Sequence, residues 1–331
     1  MKALVYEGQK TVQFKDVADP APQEGESLIR IEAVGICGSD MHAFLGHDER
    51  RPPPLILGHE ASGVVVEGAR PGLRVAINPL VSCGHCIDCR AGRGNLCADR
   101  QIISMPPRQG AFAEMTAIPD RNLFEVPDDL SSSVAALTEP VATGLHAVYL
   151  AHRVNPRPIS EGKALVIGGG AVGLSAALVL ASQGCREIYL SDTNKGRLET
   201  ARNSGDLLPF DPTSENGPAA NSVDVVIDAV GAKQTREAAI AAARPGAVIV
   251  HVGLLDGKDG VDIRRLTLQE IALVGSYTYT MSDFGAALRL LSTGALGKAD
   301  WFEIRPLEAG AAAFDDLDNH RVDAAKIVLT P

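Results

Sequence analysis

Four of the six cysteines fall within fifteen positions, Cys83, Cys86, Cys89 and Cys97, spaced C-x2-C-x2-C-x7-C. Four thiolates at that spacing suit one tetrahedral zinc ion, and Gly84, Gly92 and Gly94 supply the turns that let a short loop wrap it. An iron–sulfur cluster can also begin at C-x2-C-x2-C. Here the fourth cysteine stands at the wrong distance for one, and no proline follows it. A closed four-thiolate site steadies a loop and leaves no open position for substrate. Cys185 follows a helical stretch and a glycine and reads as a small buried hydrophobe.

Other reactive groups sit in three short segments: Gly35-Ile36-Cys37-Gly38-Ser39-Asp40-Met41-His42, Gly58-His59-Glu60 and Glu139-Pro140. Cys, His and Glu offer a thiolate, an imidazole and a carboxylate, the donor set of a three-ligand catalytic zinc that keeps one position open. The segments are far apart in the chain, so spacing alone leaves a second reading open. In it, Cys37 is a buried small residue and His59 a core histidine with its hydrogen bonds satisfied.

A third constellation points to a coenzyme. The apolar run Ala164–Ile167 leads into Gly168-x-Gly170-x-x-Gly173 and then a helical pattern. Glycines there let the backbone approach a pyrophosphate, and a helix N-terminus offers it free N–H groups. Asp192 ends the next strand-like run nineteen residues after Gly173, where a carboxylate accepts hydrogen bonds from an adenosine ribose diol. A 2′-phosphate would meet that charge, so NAD is favoured over NADP. Lys195 and Arg197 close by keep NADP possible.

These groups need elements to hold them. Up to about residue 140 the chain reads as short β-branched strands between Gly/Pro turns, at 28–36, 63–68 and 74–78. Around Ser131 the spacing turns helical, with a break expected at Pro140. From Lys163 strands and helices alternate, which implies a parallel sheet covered on both faces. Ala164–Cys185 carries no charge and is long enough to span a bilayer, but Gly168–Gly170 cuts it into a strand and a helix. The last stretch, ending Ala325-Lys326-Ile327-Val328-Leu329, reads as a strand returning to the first part. The expected division is 1–145, carrying the 83–97 lobe, then 146–285, then the 286–331 return.

Composition narrows the function further. Lys and Arg total 31 against 41 Asp and Glu, a net charge of −10 over 331 residues, which disfavours nucleic acid and anionic membranes as partners. The opening MKALVYEGQKTVQF has no basic region followed by an apolar stretch, so the expectation is a cytoplasmic protein, where clustered thiols bind metal.

Taken together, C-G-S-D-x-H at 37–42, G-H-E at 58–60, the four-cysteine lobe, E-P at 139–140, the glycine fingerprint with Asp192, and D-A-V-G at 228–231 resemble the zinc-dependent medium-chain dehydrogenases. The closest likeness is to their sorbitol and threonine dehydrogenase-like polyol branch. The resemblance implies an α/β chain, with a GroES-like, mainly β catalytic domain beside a Rossmann, doubly wound parallel-sheet domain. It also implies two zinc ions per subunit and NAD. Cys37, His59 and a carboxylate would hold the catalytic zinc. Either Glu60 or Glu139 could be that carboxylate, and the expectation leans to Glu139 with Glu60 supporting it from behind. Ser39 matches the hydroxyl that relays the substrate proton, with His42 as the next carrier. Val172, Val230, Val252-Gly253-Leu254 and Ser276-Tyr277 match coenzyme contacts, and Lys326 matches a basic residue on the pyrophosphate.

The resemblance implies oxidation of a secondary hydroxyl of a polyol, sugar alcohol or similar small alcohol, and a homodimer or homotetramer joined at the Ile271–Tyr279 edge. Three departures stand out. Asp206–Asn221 is Pro-rich where relatives carry a helix. Thr278 replaces an arginine of sorbitol dehydrogenases. A charged insert, His47–Pro54, lies beside the zinc ligands as either a substrate-facing rim or a plain loop. The rival readings are a non-catalytic nucleotide-binding or redox-sensing module with structural zinc only, an NADP-linked reductase of the same superfamily, and a zinc-free quinone reductase. Relatives of that last type lack both cysteine sets.

Overall fold

The computed structural model describes residues 1–214 and 217–331. Side chains that alternate between two faces build the first part from half-buried strands. A hairpin of β1 (Lys2–Gly8) and β2 (Thr11–Asp16) precedes β3 (Glu26–Gly35) and the short helix α1 (Gly38–Phe44). β4 (Leu55–Ile56), β5 (Glu60–Glu67) and β6 (Arg74–Ile77) follow. The four-cysteine lobe is bracketed by β7 (Leu80–Val81) and β8 (Gln101–Ile102) and holds α2 (Ile87–Arg90). β9 (Met115–Pro119) and β10 (Leu123–Glu125) complete the strands of this part.

Helix α3 (Ser132–Ala136) is capped by the Ser131 side chain, which accepts from the Val134 N–H, and α4 (Thr138–Val154) follows directly. The expected break at Pro140 does not occur. Pro140 is the third residue of α4, where backbone N–H groups have no partner inside the helix, so its missing donor costs nothing. The chain turns instead at Leu137.

Alternation then runs through β11 (Lys163–Ile167), α5 (Ala171–Ser182), β12 (Glu187–Ser191), α6 (Lys195–Ser204), β13 (Leu208–Phe210), β14 (Val223–Asp228), α7 (Lys233–Ala242), β15 (Ala243–His251), α8 (Ile263–Leu268) and β16 (Ala272–Gly275). The six strands are parallel, in the order β13-β12-β11-β14-β15-β16. That is a doubly wound sheet whose order reverses beside β11, so a crevice opens at the strand C-termini there. The charge-free run 164–185 is β11 plus α5, and among the described residues no helix is long and apolar enough to cross a membrane. Within Asp206–Asn221 the described residues form β13 and turns. Glu215 and Asn216 lie outside the described residues.

After α9 (Met281–Ser292) come β17 (Phe302–Pro306), α10 (Gly310–Asp318) and β18 (Lys326–Thr330). The two strands join the first sheet, ordered β10-β6-β5-β3-β18-β17, so the tail does return. The expected divisions at 145 and 285 fall inside α4 and α9. Both helices pack their apolar faces into the same core as α5.

Candidate metal centre and coenzyme cleft

Strand register brings the first two reactive segments together. β3 and β5 are antiparallel with Gly35 opposite Glu60, so Cys37 and His59 emerge side by side just beyond the paired ends. The ligand atoms of Cys37, His59 and Glu60 all lie within 4.8 Å of one another. Gly35 makes room for this: a Cβ there would stand 2.1 Å from Glu60 Oε2.

Asp40 knits the two turns. One carboxylate oxygen accepts from the Cys37 N–H at 3.0 Å, and the other accepts from the Gly58 N–H at 3.2 Å and faces His59 Nδ1 at 3.5 Å. Ser104 Oγ lies 3.3 Å from the same imidazole nitrogen. Burial opposes charge on His59, yet Asp40 and Cys37 overcome it and lift its pKa well above the ordinary value. Burial likewise opposes charge on Asp40, but His59, Arg51 and the Cys37 amide bring its pKa below the usual carboxylate range.

Glu60 is 0% exposed. Its Oε1 accepts from Lys326 Nζ at 2.6 Å, whereas Oε2 is a buried acceptor with no partner among the described residues. An orphaned carboxylate oxygen facing a thiol and an imidazole fits a bound cation. A cation there would also supply the positive charge that the surroundings of His59 favour. Glu139 stands outside the group of mutually close ligand atoms. Its Oε1 accepts from the Tyr279 hydroxyl at 2.8 Å, and burial, reinforced by the Glu60 charge, raises its pKa to about 7. The geometry therefore groups Glu60, rather than the favoured Glu139, with Cys37 and His59.

Lys326 corrects a second expectation. It is buried at the start of β18, bonded to Glu60 and to the Ile36 carbonyl at 2.9 Å, and not aimed at a pyrophosphate loop. β18 pairs with the end of β3, with Val328 opposite Gly35, which carries the ammonium under the metal-ligand turn. Burial disfavours its charge, but Glu60 and Cys37 raise its pKa.

Ser39 and His42 lie one turn apart on α1, both half-buried. Burial lowers the His42 pKa, helped by Arg50 and Arg51 and opposed by Asp48.

Within the second sheet, β11 runs into Gly168, whose φ of +102° suits glycine, and α5 begins after Gly170, where a Cβ would meet open space. At Gly173 a Cβ would collide with the Gly168 carbonyl at 1.8 Å, so turn and helix close tightly. That leaves an open backbone cradle at the N-terminus of a twelve-residue helix, a fit for a pyrophosphate. Asp192 faces it, accepting from the Gly169 N–H at 2.7 Å and the Asn194 N–H at 2.8 Å. Arg197 stands 3.9 Å from that carboxylate, Lys195 is exposed at the start of α6, and Val172 is half-buried beside the turn. Across the crevice, Asp228 accepts from the Val230 and Gly231 amides at 3.1 and 2.8 Å. Val252 and Gly253 follow the end of β15, both donating to the Asp228 carbonyl, and Leu254 beyond them is 70% exposed. Ser276 Oγ at the end of β16 is buried without a partner among the described residues. Tyr277 turns to the cysteine lobe: its carbonyl accepts from Asn95 Nδ2 at 2.9 Å, its hydroxyl from Arg100 Nε at 3.2 Å.

In that lobe the sulfurs of Cys83, Cys86, Cys89 and Cys97 lie within 4.8 Å of one another. Backbone amides point at them, Cys86 N–H to Cys83 Sγ at 3.4 Å and Cys89 N–H to Cys86 Sγ at 3.4 Å. Amides of His85 and Cys86 bring the Cys83 thiol down to about 6, toward the thiolate a metal needs. Sequence reasoning assigned no role to Asp40, Ser104 or Arg51. Asp40 lay inside the C-G-S-D-x-H motif, whereas nothing local marked Ser104.

Residues 23–128 match the alcohol dehydrogenase GroES-like domain family, and 171–293 match the zinc-binding dehydrogenase family. The chain is 31% identical to the L-galactonate-5-dehydrogenase of Escherichia coli K12, covering 89% of this chain and 88% of that one. It is 31% identical to a probable D-xylulose reductase A of Arthroderma otae, covering 99% and 96%. A crystal structure of an alcohol dehydrogenase from Escherichia coli CFT073 with NADH superimposes with a TM-score of 0.89 at 26% identity, covering 100% of this chain and 99% of that one. The chain therefore belongs to the zinc-dependent medium-chain dehydrogenase family, with a GroES-like domain joined to a Rossmann domain.

Proposed function

We propose that this protein is an NAD-linked dehydrogenase that oxidises a secondary hydroxyl of a polyol, sugar alcohol or sugar acid to a ketone. The observation that carries the reading is the buried, unpartnered Glu60 Oε2 converging with Cys37 and His59. Relatives named for galactonate and xylulose support the substrate class.

When bound, a zinc ion supplies polarisation of the substrate hydroxyl, and the nicotinamide supplies a hydride acceptor. Cys37, His59 and Glu60 would hold the metal, with Glu139 as the neighbouring carboxylate and Asp40 orienting His59 from behind. Ser39 takes the proton of the substrate hydroxyl and His42 carries it toward solvent. Gly168, Gly170 and Gly173 let the coenzyme pyrophosphate approach the start of α5, and Asp192 accepts from the adenosine ribose hydroxyls. Cys83, Cys86, Cys89 and Cys97 would hold a second, structural zinc.

Reduction of NAD and of NADP over a panel of polyols, aldonic acids and simple secondary alcohols tests this reading. NAD reduction with at least one polyol or sugar acid supports it, and inertness across the panel overturns it. Asp192→Ser is expected to narrow the NAD-over-NADP preference by about 10- to 100-fold in kcat/KM, because it removes a like charge from the 2′-phosphate and frees Arg197. An unchanged ratio would remove Asp192 from the ribose site.

A second copy of the chain is the proposed partner. Edge strand β16 leaves Leu273 40% exposed, and an open apolar edge invites pairing. A cytoplasmic location is proposed with it, and six cysteines free of any disulfide support a reducing compartment.

A further inference from the structure

The charged insert after α1 holds two adjacent arginines with opposite fates. Arg50 is exposed and forks onto Asp48, Nε at 2.8 Å and Nη2 at 3.0 Å. Arg51 is 3% exposed, its guanidinium turned in beside the same Asp48 carboxylate that Arg50 holds. Its Nη1 donates to Asp48 Oδ2 at 2.7 Å and to the Ser39 carbonyl at 3.2 Å. Its Nη2 donates to Ser39 Oγ at 3.4 Å, and its Nε to the Ser104 carbonyl at 3.0 Å. One guanidinium thus spans three segments.

Stability alone does not account for this placement. A buried ion pair contributes little over apolar packing, and a cation beside the first turn of a helix opposes the helix dipole. The chemistry does account for it. Guanidinium can only donate, so Ser39 Oγ must accept in their bond. A hydroxyl has one hydrogen and two lone pairs. With one lone pair taken, one acceptor position and one donor position remain, which is what a proton relay needs.

We propose that Arg51 is a positioning residue that fixes the Ser39 hydroxyl for proton relay, and through the Ser104 carbonyl holds the segment behind His59. The proposal rests on the dehydrogenase reading above. In the oxidation the substrate C–H bond breaks and its electron pair leaves as hydride for the nicotinamide of NAD. The O–H bond breaks, its electrons form the second C–O bond, and its proton goes to Ser39 Oγ. The proton already on Ser39 leaves for the His42 imidazole and then water. Arg51 stays charged throughout.

The test compares wild type, Arg51→Met, Arg51→Lys, Ser39→Ala and the Ser39→Ala/Arg51→Met double variant on the best alcohol of the panel. Arg51→Met is expected to lower kcat by about 30- to 100-fold, while KM for the alcohol and NADH affinity by fluorescence stay within about threefold. Arg51→Lys, which keeps the charge and loses the fork, should fall between. In the Ser39→Ala background the Arg51→Met loss should shrink to about threefold or less, the mark of two residues acting as one unit. Amide exchange read by mass spectrometry should rise in segments 38–44 and 102–106 of Arg51→Met and stay unchanged in 163–182, a readout independent of turnover.

An unchanged kcat, equal losses in both backgrounds, or unchanged exchange would overturn the proposal. If Arg51→Met does not fold, Asp48→Asn, which loosens the guanidinium without emptying its site, is read by the same criteria. A wild type inert on every alcohol overturns the dehydrogenase reading and this one with it. An active wild type with an indifferent Arg51 overturns this one alone.

Discussion

Cys37→Ser and His59→Ala are each expected to lower kcat/KM by about 10³-fold or more, roughly 4 kcal/mol of lost transition-state stabilisation. The cause lies in the donor set. A serine hydroxyl stays protonated where a thiolate would bind, so the three-atom cluster of Cys37, His59 and Glu60 loses its soft ligand. His59→Ala does more. It leaves the fully buried Asp40 carboxylate facing a void, so it should also lower stability. Cys37→Ser is the cleaner variant for that reason. NADH binding should survive in both, because the glycine turn and Asp192 belong to the other sheet. Steady-state kinetics paired with NADH fluorescence titration checks this. Normal alcohol oxidation by Cys37→Ser would remove the catalytic metal from the account.

The second large effect is expected at the lobe. Cys97 is 0% exposed, and its Sγ accepts from the Cys83 N–H at 3.4 Å. Cys97→Ser should halve the bound zinc and lower Tm by about 10 °C or more, since structural zinc sites contribute many kcal/mol of folding free energy. Activity should fall too, by a traceable route. Asn95 and Arg100 hold Tyr277, and Tyr279 two residues on holds Glu139 beside the metal centre. Cys185→Ser is the control: that thiol lies just before β12 in the apolar core, and its hydrogen-bond partners among the described residues are the Gly162 and Glu187 carbonyls, so zinc content and activity should hold. Calorimetry and metal analysis of both variants sort the thiols. Equal zinc loss in both, or none in Cys97→Ser, would contradict the lobe assignment.

How much of this was legible follows from how far apart the partners lie. The lobe was readable because its four ligands are local, and local spacing carries the geometry. The parallel sheet was readable for a similar reason: alternation from Lys163 and the glycine fingerprint each lie within one strand–turn–helix unit. The reactive trio was nameable from motifs, yet its convergence depends on the β3–β5 register, and only that pairing sets Cys37 beside His59.

Lys326 shows the limit. Its place under Glu60 comes from β18 docking on β3, a pairing between residues nearly three hundred positions apart, and nothing near Lys326 encodes it. Pro140 misled for another reason. A proline looks like a helix breaker until the helix start is known, and at the third position it breaks nothing. Arg50 and Arg51 are identical neighbours in the sequence. Which of them turns inward is decided by the Ser39 and Ser104 carbonyls, which no local pattern reveals.

The most direct measurement is X-ray anomalous scattering on crystals of the zinc-loaded protein, recorded on either side of the zinc absorption edge. Two peaks per chain are expected. One should lie among the four lobe sulfurs, and the other at about 2.0–2.3 Å from Cys37 Sγ, a His59 ring nitrogen and a carboxylate oxygen. A peak in the lobe alone, with Cys37, His59 and Glu60 ordered around no ion, would contradict the account and leave a nucleotide-binding module whose zinc is purely structural.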